Sequence, residues 1–340
     1  MNIIITVVSI EGSKFKINGE FTYKSRIWNG IDIEGLLFNT RMVQGIFDDK
    51  NPETVSKWAY PDTHRWDAER NTMEFLQAMP LWKDHGVLCF TLNLQGGSPE
   101  GYSEQQPWDN TAFLEDGSLD QAYMARLERI LDRADELGMV VILGYFYFGQ
   151  ERRLKDEASI ATAVKNATEW VLQKGYRNIL IEINNECNII YTHEILKSGR
   201  VHELFGQVKE ICRGRYEIPV SASFSGSAIP SDNVIEIADL ILVHGNGIEN
   251  PEVIEQMIKT IQKKGCYRGQ PILFNEDDHF DFDRETNNLI KAIRNGASWG
   301  YFDPGSSNYI DGYQCPPVNW GINTPRKREF FDLVKRIVLD

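Results

Sequence analysis

The amino-acid sequence predicts an α/β fold, the (β/α)8 or TIM barrel, from three observations. Apolar runs of strand length alternate with longer segments of helical periodicity, which is typical of parallel strands connected by helices, and eight such pairs can be counted. The 340 residues exceed the roughly 250 that eight pairs need, so long loops fit within one domain spanning 1–340. No Gly-rich phosphate loop follows the first strand, which favours a closed barrel over a dinucleotide-binding sheet.

The first 30 residues are predicted to form a β-hairpin region ahead of the barrel, which occupies 31–340. Two β-rich runs lie between residues 3 and 23, separated by Glu11-Gly12-Ser13. Asn18-Gly19 follows the second run and is a strong hairpin signal. We expect this region to be a small lid or plug.

The barrel strands are predicted from apolar runs bounded by turn residues. In chain order they lie within 35–47 and at 87–94, 139–147, 178–184, 218–223, 240–244, 271–275 and 297–302. The register of the first strand is ambiguous within its range. Polar residues that follow these runs are the candidates for function, because active sites of such barrels lie at the C-terminal ends of the strands.

The best-defined helix is predicted at 118–137, with Ser118 as its N-cap and Gly138 as its stop. Apolar residues recur there at helical spacing and form one face: Tyr123, Leu127, Ile130, Leu131, Ala134 and Leu137. Further helices are predicted near 67–85, 156–174, 199–213, 232–238, 251–264, 282–295 and 326–339.

Composition and charge exclude several classes of partner. The formal net charge of −13 repels the phosphates of nucleic acids and anionic lipids, so we expect neither as a partner. No apolar run reaches the roughly 18 residues of a membrane span. The five cysteines include no Cys-x-x-Cys pair and are odd in number, so we expect mostly reduced thiols.

The N-terminal sequence lacks the positively charged start of a signal peptide and turns polar by Glu11. As written, the chain is therefore expected in the cytoplasm. Removal of a signal peptide ahead of residue 1 would leave the same sequence and imply a periplasmic or secreted protein. The sequence predicts no oligomeric state.

Two carboxylates follow predicted strands at the positions where catalytic groups are expected. The fourth strand reads ILIEINNEC and ends on Asn185 and Glu186, and the seventh reads PILFNE and ends on Glu276. Two carboxylates on opposite walls of one cavity are what glycoside hydrolysis needs. One protonates the leaving oxygen, and the other attacks the sugar or activates water.

These motifs resemble the clan of retaining (β/α)8-barrel glycoside hydrolases, which includes the cellulase-like and β-galactosidase-like families. Members of that clan carry Asn-Glu at the end of strand four and a second Glu at the end of strand seven. The resemblance implies that Glu186 is the acid/base, Asn185 a ligand of the sugar 2-hydroxyl and Glu276 the nucleophile of a double displacement. The implied substrate is a β-linked oligo- or polysaccharide, and the resemblance covers the chain from about Ile33 onwards.

The sequence departs from the clan's pattern in two places. Many members have Pro after the strand-four Glu, where this chain has Cys187. Many also have a Tyr at the end of strand six that hydrogen-bonds the nucleophile, where this chain has His244-Gly245-Asn246. Either His244 or Asn246 takes over that contact, or the nucleophile is held differently.

Other strand ends supply residues predicted to contact the sugar: Arg41, Asn93, Gln95, Tyr145, Tyr147, His244, Asn246, Trp299 and Asp303. The alternative for Arg41 is that it neutralises a buried carboxylate such as Glu182, because buried charges are usually paired. Tyr145 has a core position as its alternative. Trp299 is favoured as a platform, since aromatic faces stack on sugar rings.

We expect no cofactor and no metal ion. Asp277, Asp278 and His279 offer suitable ligand types, but adjacent residues on a strand point to opposite faces. Two other functions remain open on the same barrel, a carbohydrate-binding protein without catalysis and a metal-dependent lyase or isomerase. No strand ends in Lys, and the presence of both glutamates favours the hydrolase.

The loops after strands one, two and eight are long and rich in aromatic residues: Trp58, Tyr60, Trp66, Tyr102, Trp108, Tyr309, Tyr313 and Trp320. Long loops in a compact domain tend to be functional, and these must surround the catalytic end of the barrel. They predict a walled pocket for a chain end or a short saccharide. The alternative is that the aromatic residues only pack the loops against the barrel.

Overall fold

Eight parallel strands, surrounded by helices, form the centre of the fold. The computed structural model describes residues 5–101, 105–305 and 309–339. Tyr102, one of the predicted loop aromatics, lies outside the described residues. The predicted α/β barrel class is confirmed, and every predicted barrel strand contains or overlaps an observed one.

The N-terminal region forms a small antiparallel sheet of β1 (Val8–Glu11), β2 (Lys14–Ile17) and β3 (Glu20–Phe21), followed by a hairpin of β4 (Ile27–Trp28) and β5 (Ile31–Asp32). Val8 and Phe15 pack against Leu37, Leu180 and Leu273 inside the barrel. These leucines belong to the N-terminal halves of their strands or precede them. The region therefore plugs the end of the barrel opposite the predicted site.

Six barrel strands form one parallel sheet: β6 (Asn39–Arg41), β7 (Cys89–Asn93), β8 (Val140–Phe146), β9 (Ile179–Asn184), β10 (Val220–Ser221) and β13 (Gly300–Tyr301). Their order is β10-β9-β8-β7-β6-β13, and β11 (Ile241–His244) pairs with β12 (Ile272–Glu276). A bridge between Leu273 and Ser298 joins β12 to the chain before β13. On the other side, Asp239 N donates to Val220 O at 3.1 Å. The two links bring the eight strands into chain order around a ring.

The helices follow the strands in the expected order: α1 (Ala68–Asp84), α2 (Gln121–Leu137), α3 (Glu157–Lys174), α4 (His202–Cys212), α5 (Asp232–Ile237), α6 (Pro251–Lys263), α7 (Asn288–Arg294) and α8 (Pro325–Val338). Among the described residues, no helix has both the length and the apolar character needed to cross a bilayer.

The predicted N-cap of α2 was wrong by two residues. The Asp120 carboxylate caps the helix by accepting the N–H of Tyr123 at 2.8 Å. Ser118 lies in the preceding turn, where its hydroxyl donates to Asp116 at 2.6 Å. Both residue types are good caps, so the turn geometry made the choice. Gly138 ends the helix as predicted, with a φ of +68° that favours glycine.

The barrel interior changes from apolar to polar towards the C-terminal ends of the strands. Above the leucine layer lie buried polar side chains: Asn39, Thr91, Asn93, Glu182 and Asn275. Gly144 makes room for this layer, because a Cβ atom there would lie 2.2 Å from Asn93 Oδ1. Polar residues at this depth support charged groups at the mouth of the barrel.

Candidate active site

Strand β9 presents Glu186 through a backbone conformation that is uncommon for a residue with a side chain. Its φ is +52°, in the left-handed region that few residues other than glycine adopt. Ser223, after β10, fixes this turn: its hydroxyl accepts the Glu186 N–H and its carbonyl accepts the Cys187 N–H, both at 2.9 Å. Such conformations cluster at functional sites, where the surrounding structure holds them.

A β-bulge turns the side chain of Glu276 towards the inside of the barrel. Val243 pairs with Phe274, but the next residue, His244, pairs with Glu276, so Asn275 is an extra residue in β12. Asn275 Nδ2 donates to the buried Glu182 carboxylate at 3.1 Å, which places Asn275 inside as well. Without the bulge, alternation would turn Glu276 away from the cavity.

The two glutamates meet in one buried cluster. Oxygen atoms of Glu186 and Glu276 and a ring nitrogen of His244 all lie within 4.8 Å of one another. Glu186 is 1% and Glu276 5% exposed, so little water screens their interactions. Arg41 Nε lies 2.7 Å from Glu276 Oε2 and supplies a buried positive charge. Arg41 thus pairs with Glu276 itself, and Glu182 lacks this close ion pair.

Both polar residues at the end of β11, the sixth strand of the barrel, contact the carboxylates. His244 Nδ1 lies 2.9 Å from Glu186 Oε1 and 3.6 Å from Glu276 Oε2. Asn246 Nδ2 donates to Glu276 Oε1 at 2.6 Å. The two residues were expected to contact the sugar or to replace the clan's tyrosine. The structure brings both of them to the carboxylates, with Asn246 on Glu276.

The charges of the cluster shift the pKa values of its basic groups upwards. Burial is the largest influence on Arg41 and would lower its pKa, but Glu276, Tyr147, Glu182 and Glu186 together raise that pKa above its ordinary value. The pKa of His244 is likewise lowered by burial and raised more strongly by Glu276 and Glu186. Burial raises the pKa of Glu182, against the effect of Arg41 and His244. Relative to the free side chains, the surroundings therefore shift Arg41 and His244 towards their charged forms and Glu182 towards its neutral form.

Two of the predicted sugar contacts were wrong. Tyr145 is fully buried and its hydroxyl bonds Thr168 of α3 at 3.1 Å, so it lies between the barrel and the helices. Trp299 is also fully buried, donates to Asp277 at 2.9 Å and packs against Phe330 of α8. Both side chains point outward, and their strand registers could not be fixed from the sequence.

Two other predicted sugar contacts, Asn185 and Asn93, lie beside the glutamate cluster or deeper in the barrel. Asn185 follows β9, is buried, and has a carbonyl that accepts the Tyr191 hydroxyl at 2.5 Å. Asn93 is buried one layer deeper, beside Glu182, because both approach the space above Gly144. Its depth makes it a support for the site more than a surface for a sugar.

Two aromatic residues lie near Arg41: Tyr147, which was among the predicted sugar contacts, and Phe302, which was not. The pKa of Tyr147 is raised to about 12, mainly by burial, and Arg41 and Glu276 also act on it, so it lies within their electrostatic reach. Phe302 has its ring centre 5.8 Å from the guanidinium carbon of Arg41. Both follow strand ends, and that position was the signal that could have identified Phe302 as well.

Among the residues that the structure describes, two groups of side chains have the donor spacing of a metal site. In the first, Glu186, His244 and Glu276, the guanidinium of Arg41 already supplies positive charge. In the second, Asp277, Asp278 and His279, the Asp277 oxygens already accept hydrogen bonds from protein donors. We assign no metal to either group.

No protein-family model matches the sequence, and no curated protein sequence matches it significantly. Solved structures do match. A β-glucosidase from Thermotoga maritima in complex with a substituted glucoimidazole has a TM-score of 0.56 at 9% identity, over 91% of this chain and 100% of that chain. A glycoside hydrolase family 5 mannosidase from Rhizomucor miehei has a TM-score of 0.57 at 11% identity, over 99% and 98%. A β-mannanase from the blue mussel Mytilus edulis has a TM-score of 0.52 at 11% identity, over 87% and 90%.

These likenesses establish the fold. The chain has the (β/α)8 architecture found in glycoside hydrolases, over nearly its whole length. At identities of about one residue in ten, a shared barrel does not specify the reaction, because this fold carries many chemistries.

Proposed function

We propose that this protein is a retaining glycoside hydrolase that acts on a β-linked oligo- or polysaccharide. One observation carries the proposal: carboxylates from the ends of β9 and β12 converge in a buried cluster with Arg41, His244 and Asn246. A pair of carboxylates at this end of a barrel suits cleavage of a glycosidic bond. The likeness to barrels of glycoside hydrolases is consistent with it.

In the first step, a carboxylate oxygen of Glu276 forms a bond to the anomeric carbon while the bond to the leaving oxygen breaks. Glu186 gives its proton to that oxygen, so a neutral alcohol departs. The positive charge of Arg41 lies beside Glu276, and the amide of Asn246 orients one carboxylate oxygen of Glu276. The product of this step is a glycosyl–Glu276 ester.

In the second step, water attacks the anomeric carbon of that ester. Glu186, now ionised, takes a proton from the water, and the Glu276 carboxylate leaves. Glu186 therefore acts as acid and then as base, and His244, at 2.9 Å, is placed to stabilise its ionised form. The sugar is released with the configuration it had in the substrate, and both glutamates return to their starting states.

The spacing of the carboxylates supports retention over inversion. Retaining enzymes place the two carboxyl groups about 5 to 5.5 Å apart, whereas inverting enzymes need about 6.5 to 9.5 Å to admit a water molecule. Oxygens of Glu186 and Glu276 lie within 4.8 Å of each other. An approach this close is consistent with the shorter, retaining spacing.

We expect the protein to release nitrophenol from at least one member of a panel of aryl β-glycosides, with a first product of β configuration. Proton NMR during the first minutes distinguishes the anomers before mutarotation mixes them. A first product of α configuration would establish inversion. Binding without release would favour the carbohydrate-binding alternative, and activity lost to a chelator would favour the metal-dependent one.

The loops at the mouth of the barrel are tied to one another. Lys57, after β6, pairs with Glu100, after β7, at 3.0 Å, and Gln314, after β13, donates to Ser98 O at 2.5 Å. Two of the predicted aromatic residues, Trp58 and Trp108, are buried within these loops and pack edge to face. They stabilise the loops instead of offering faces to a sugar.

We infer from these ties that the enzyme acts at chain ends or on short saccharides. Joined loops form a wall on one side of the barrel mouth and hinder a polymer from lying across it. Incubation with a soluble polysaccharide should therefore release mono- or disaccharides within minutes and leave the viscosity nearly unchanged. Rapid loss of viscosity with a ladder of long oligosaccharides would contradict the pocket and leave the hydrolase proposal intact.

A further inference from the structure

The residue after the proposed nucleophile, Asp277, has a fully buried carboxylate that faces away from the cavity. Its Oδ2 accepts hydrogen bonds from Trp299 Nε1 at 2.9 Å and Asn288 Nδ2 at 3.0 Å. Its Oδ1 accepts the backbone N–H of His279 at 3.1 Å. These donors come from the chain before β13, from α7 and from the loop after β12. One carboxylate thus ties three segments to the end of β12.

Asp277 also contacts the turn that follows β11. A Cβ atom on Gly245 would lie 2.1 Å from Asp277 Oδ2, so only glycine permits this close approach. Gly245 N donates to Glu276 O at 2.8 Å, and the next residue, Asn246, donates to the Glu276 side chain. The position of the carboxylate therefore bears on Glu276 and on its hydrogen-bond donor together.

The bulge in β12 explains why such an anchor is needed. An extra residue interrupts the regular ladder of hydrogen bonds and lets the strand bend locally. Glu276 faces the cavity only through this bulge, so contacts outside the ladder must fix its direction. The Asp277 carboxylate provides them on the side chain, and Asp277 O accepts the N–H of Phe302 at 2.9 Å on the main chain.

We propose that Asp277 is a positioning residue of the active site, whose carboxylate holds the β12 bulge and the Gly245–Asn246 turn in the geometry that aims Glu276 at the anomeric carbon. The inference rests on the proposed function, because the aim of Glu276 affects the rate only if Glu276 is the nucleophile. Its contacts with Trp299 also account for the outward position of that indole.

The test compares Asp277→Asn with a matched control, Asp49→Asn. The Asp49 carboxylate is also buried and also accepts an indole N–H, from Trp58 at 2.7 Å, a backbone N–H, from Asp109 at 2.8 Å, and one side-chain donor. It belongs to the loop after β6 and makes none of the contacts to Gly245 or β12. Each change replaces one acceptor oxygen by an amide that donates.

The readouts are kcat, KM and the first-order rate constant for covalent labelling at saturating 2-deoxy-2-fluoroglycosyl fluoride, followed by mass spectrometry. For Asp277→Asn we expect kcat and the labelling constant to fall about 100-fold with KM within about threefold, because misplacing a reacting group by about 1 Å costs that much. Asp49→Asn should keep both rate constants within about threefold of the wild type. A labelling constant for Asp277→Asn equal to that of the control would overturn the inference.

Trp299→Phe provides a second variant if Asp277→Asn does not fold. It removes one donor to Asp277 and keeps an aromatic ring against Phe330. We expect it to lower the labelling constant about tenfold, a smaller loss because the hydrogen bonds from Asn288 and from the His279 N–H remain. An unchanged constant in this folded variant would also overturn the inference.

Crystal structures give a readout that needs no substrate. The first is of Asp277→Asn, or of Trp299→Phe if Asp277→Asn does not fold, and the second is of the control, Asp49→Asn. The hydrogen bond of 2.6 Å between Asn246 and Glu276 should be lost or lengthened in the first and kept in the second. If it persists in both, Asp277 does not position Glu276, whatever the reaction. If the wild type cleaves no glycoside and is not labelled, the proposed function fails, and this comparison still decides the role of Asp277.

Discussion

Replacement of Glu276 by Ala should lower kcat by at least about 10⁴-fold, because no other group can form the covalent bond to the anomeric carbon. The nearest substitute, Glu186, acts on the side of the leaving group in the proposed mechanism. The shorter side chain also leaves space beside Arg41, whose guanidinium lies 2.7 Å from the lost carboxylate. Azide should enter that space, attack the sugar directly and restore turnover of an activated aryl β-glycoside. The product should be the α-glycosyl azide, since a single displacement inverts the configuration.

Glu182→Gln is the matched control for Glu276→Ala. Glu182 is equally buried in the same barrel, and burial raises its pKa, which favours the neutral form that glutamine mimics. Its amide oxygen can still accept from Asn275. We expect kcat within about fivefold of the wild type. Azide rescue that gives the β-glycosyl azide from Glu276→Ala would remove Glu276 from the role of nucleophile.

Replacement of Glu186 by Ala should have an effect that depends on the leaving group. For a glycoside with a poor leaving group, kcat/KM should fall about 10²- to 10⁴-fold, the usual contribution of a general acid. For dinitrophenyl glycosides, which need no proton, formation of the glycosyl–Glu276 ester should continue. Its hydrolysis should slow, because Glu186 is also the base for water, so the ester should accumulate and be visible by mass spectrometry.

Azide again separates the roles of the two glutamates. In Glu186→Ala it should attack the accumulated ester from the side that water uses and give the β-glycosyl azide, with retention. His244→Ala tests the neighbour that lies 2.9 Å from Glu186: it should slow both steps less than the loss of Glu186 does. Equal losses of kcat/KM for good and poor leaving groups in Glu186→Ala would contradict its role as acid.

The order of strands and helices could be predicted from the sequence because each depends on local patterning. The largely apolar run of β9 indicates a buried strand, and the apolar residues of α2 recur at helical spacing and form its buried face. The exact caps depend on competing residues of similar propensity, so Asp120 replaced Ser118. Helix α7 begins at Asn288, later than the pattern near 282 indicated. The segment ahead of it forms a loop.

The directions of side chains at strand ends could be predicted only in part. The sequence pointed to Tyr145, Tyr147 and Trp299, yet the hydroxyl of Tyr145 bonds a helix and the indole of Trp299 bonds Asp277. Tyr147 does lie near Arg41, together with Phe302, which the sequence did not indicate. A shift of one residue exchanges the two faces of a strand, and turns beyond the last ladder hydrogen bond abolish alternation.

The sequence by itself determined the fold class and the two glutamates as candidates, because an eight-fold alternation of apolar runs and the residues that end the fourth and seventh runs are local properties of the chain. Tertiary structure alone decided how those glutamates are placed. Three features depend on segments that are far apart in sequence: the bulge at Asn275, the left-handed backbone of Glu186, which Ser223 holds, and the pairing of Arg41 with Glu276. Such contacts form because a buried charge or an interrupted ladder must find partners in space, wherever along the chain those partners lie.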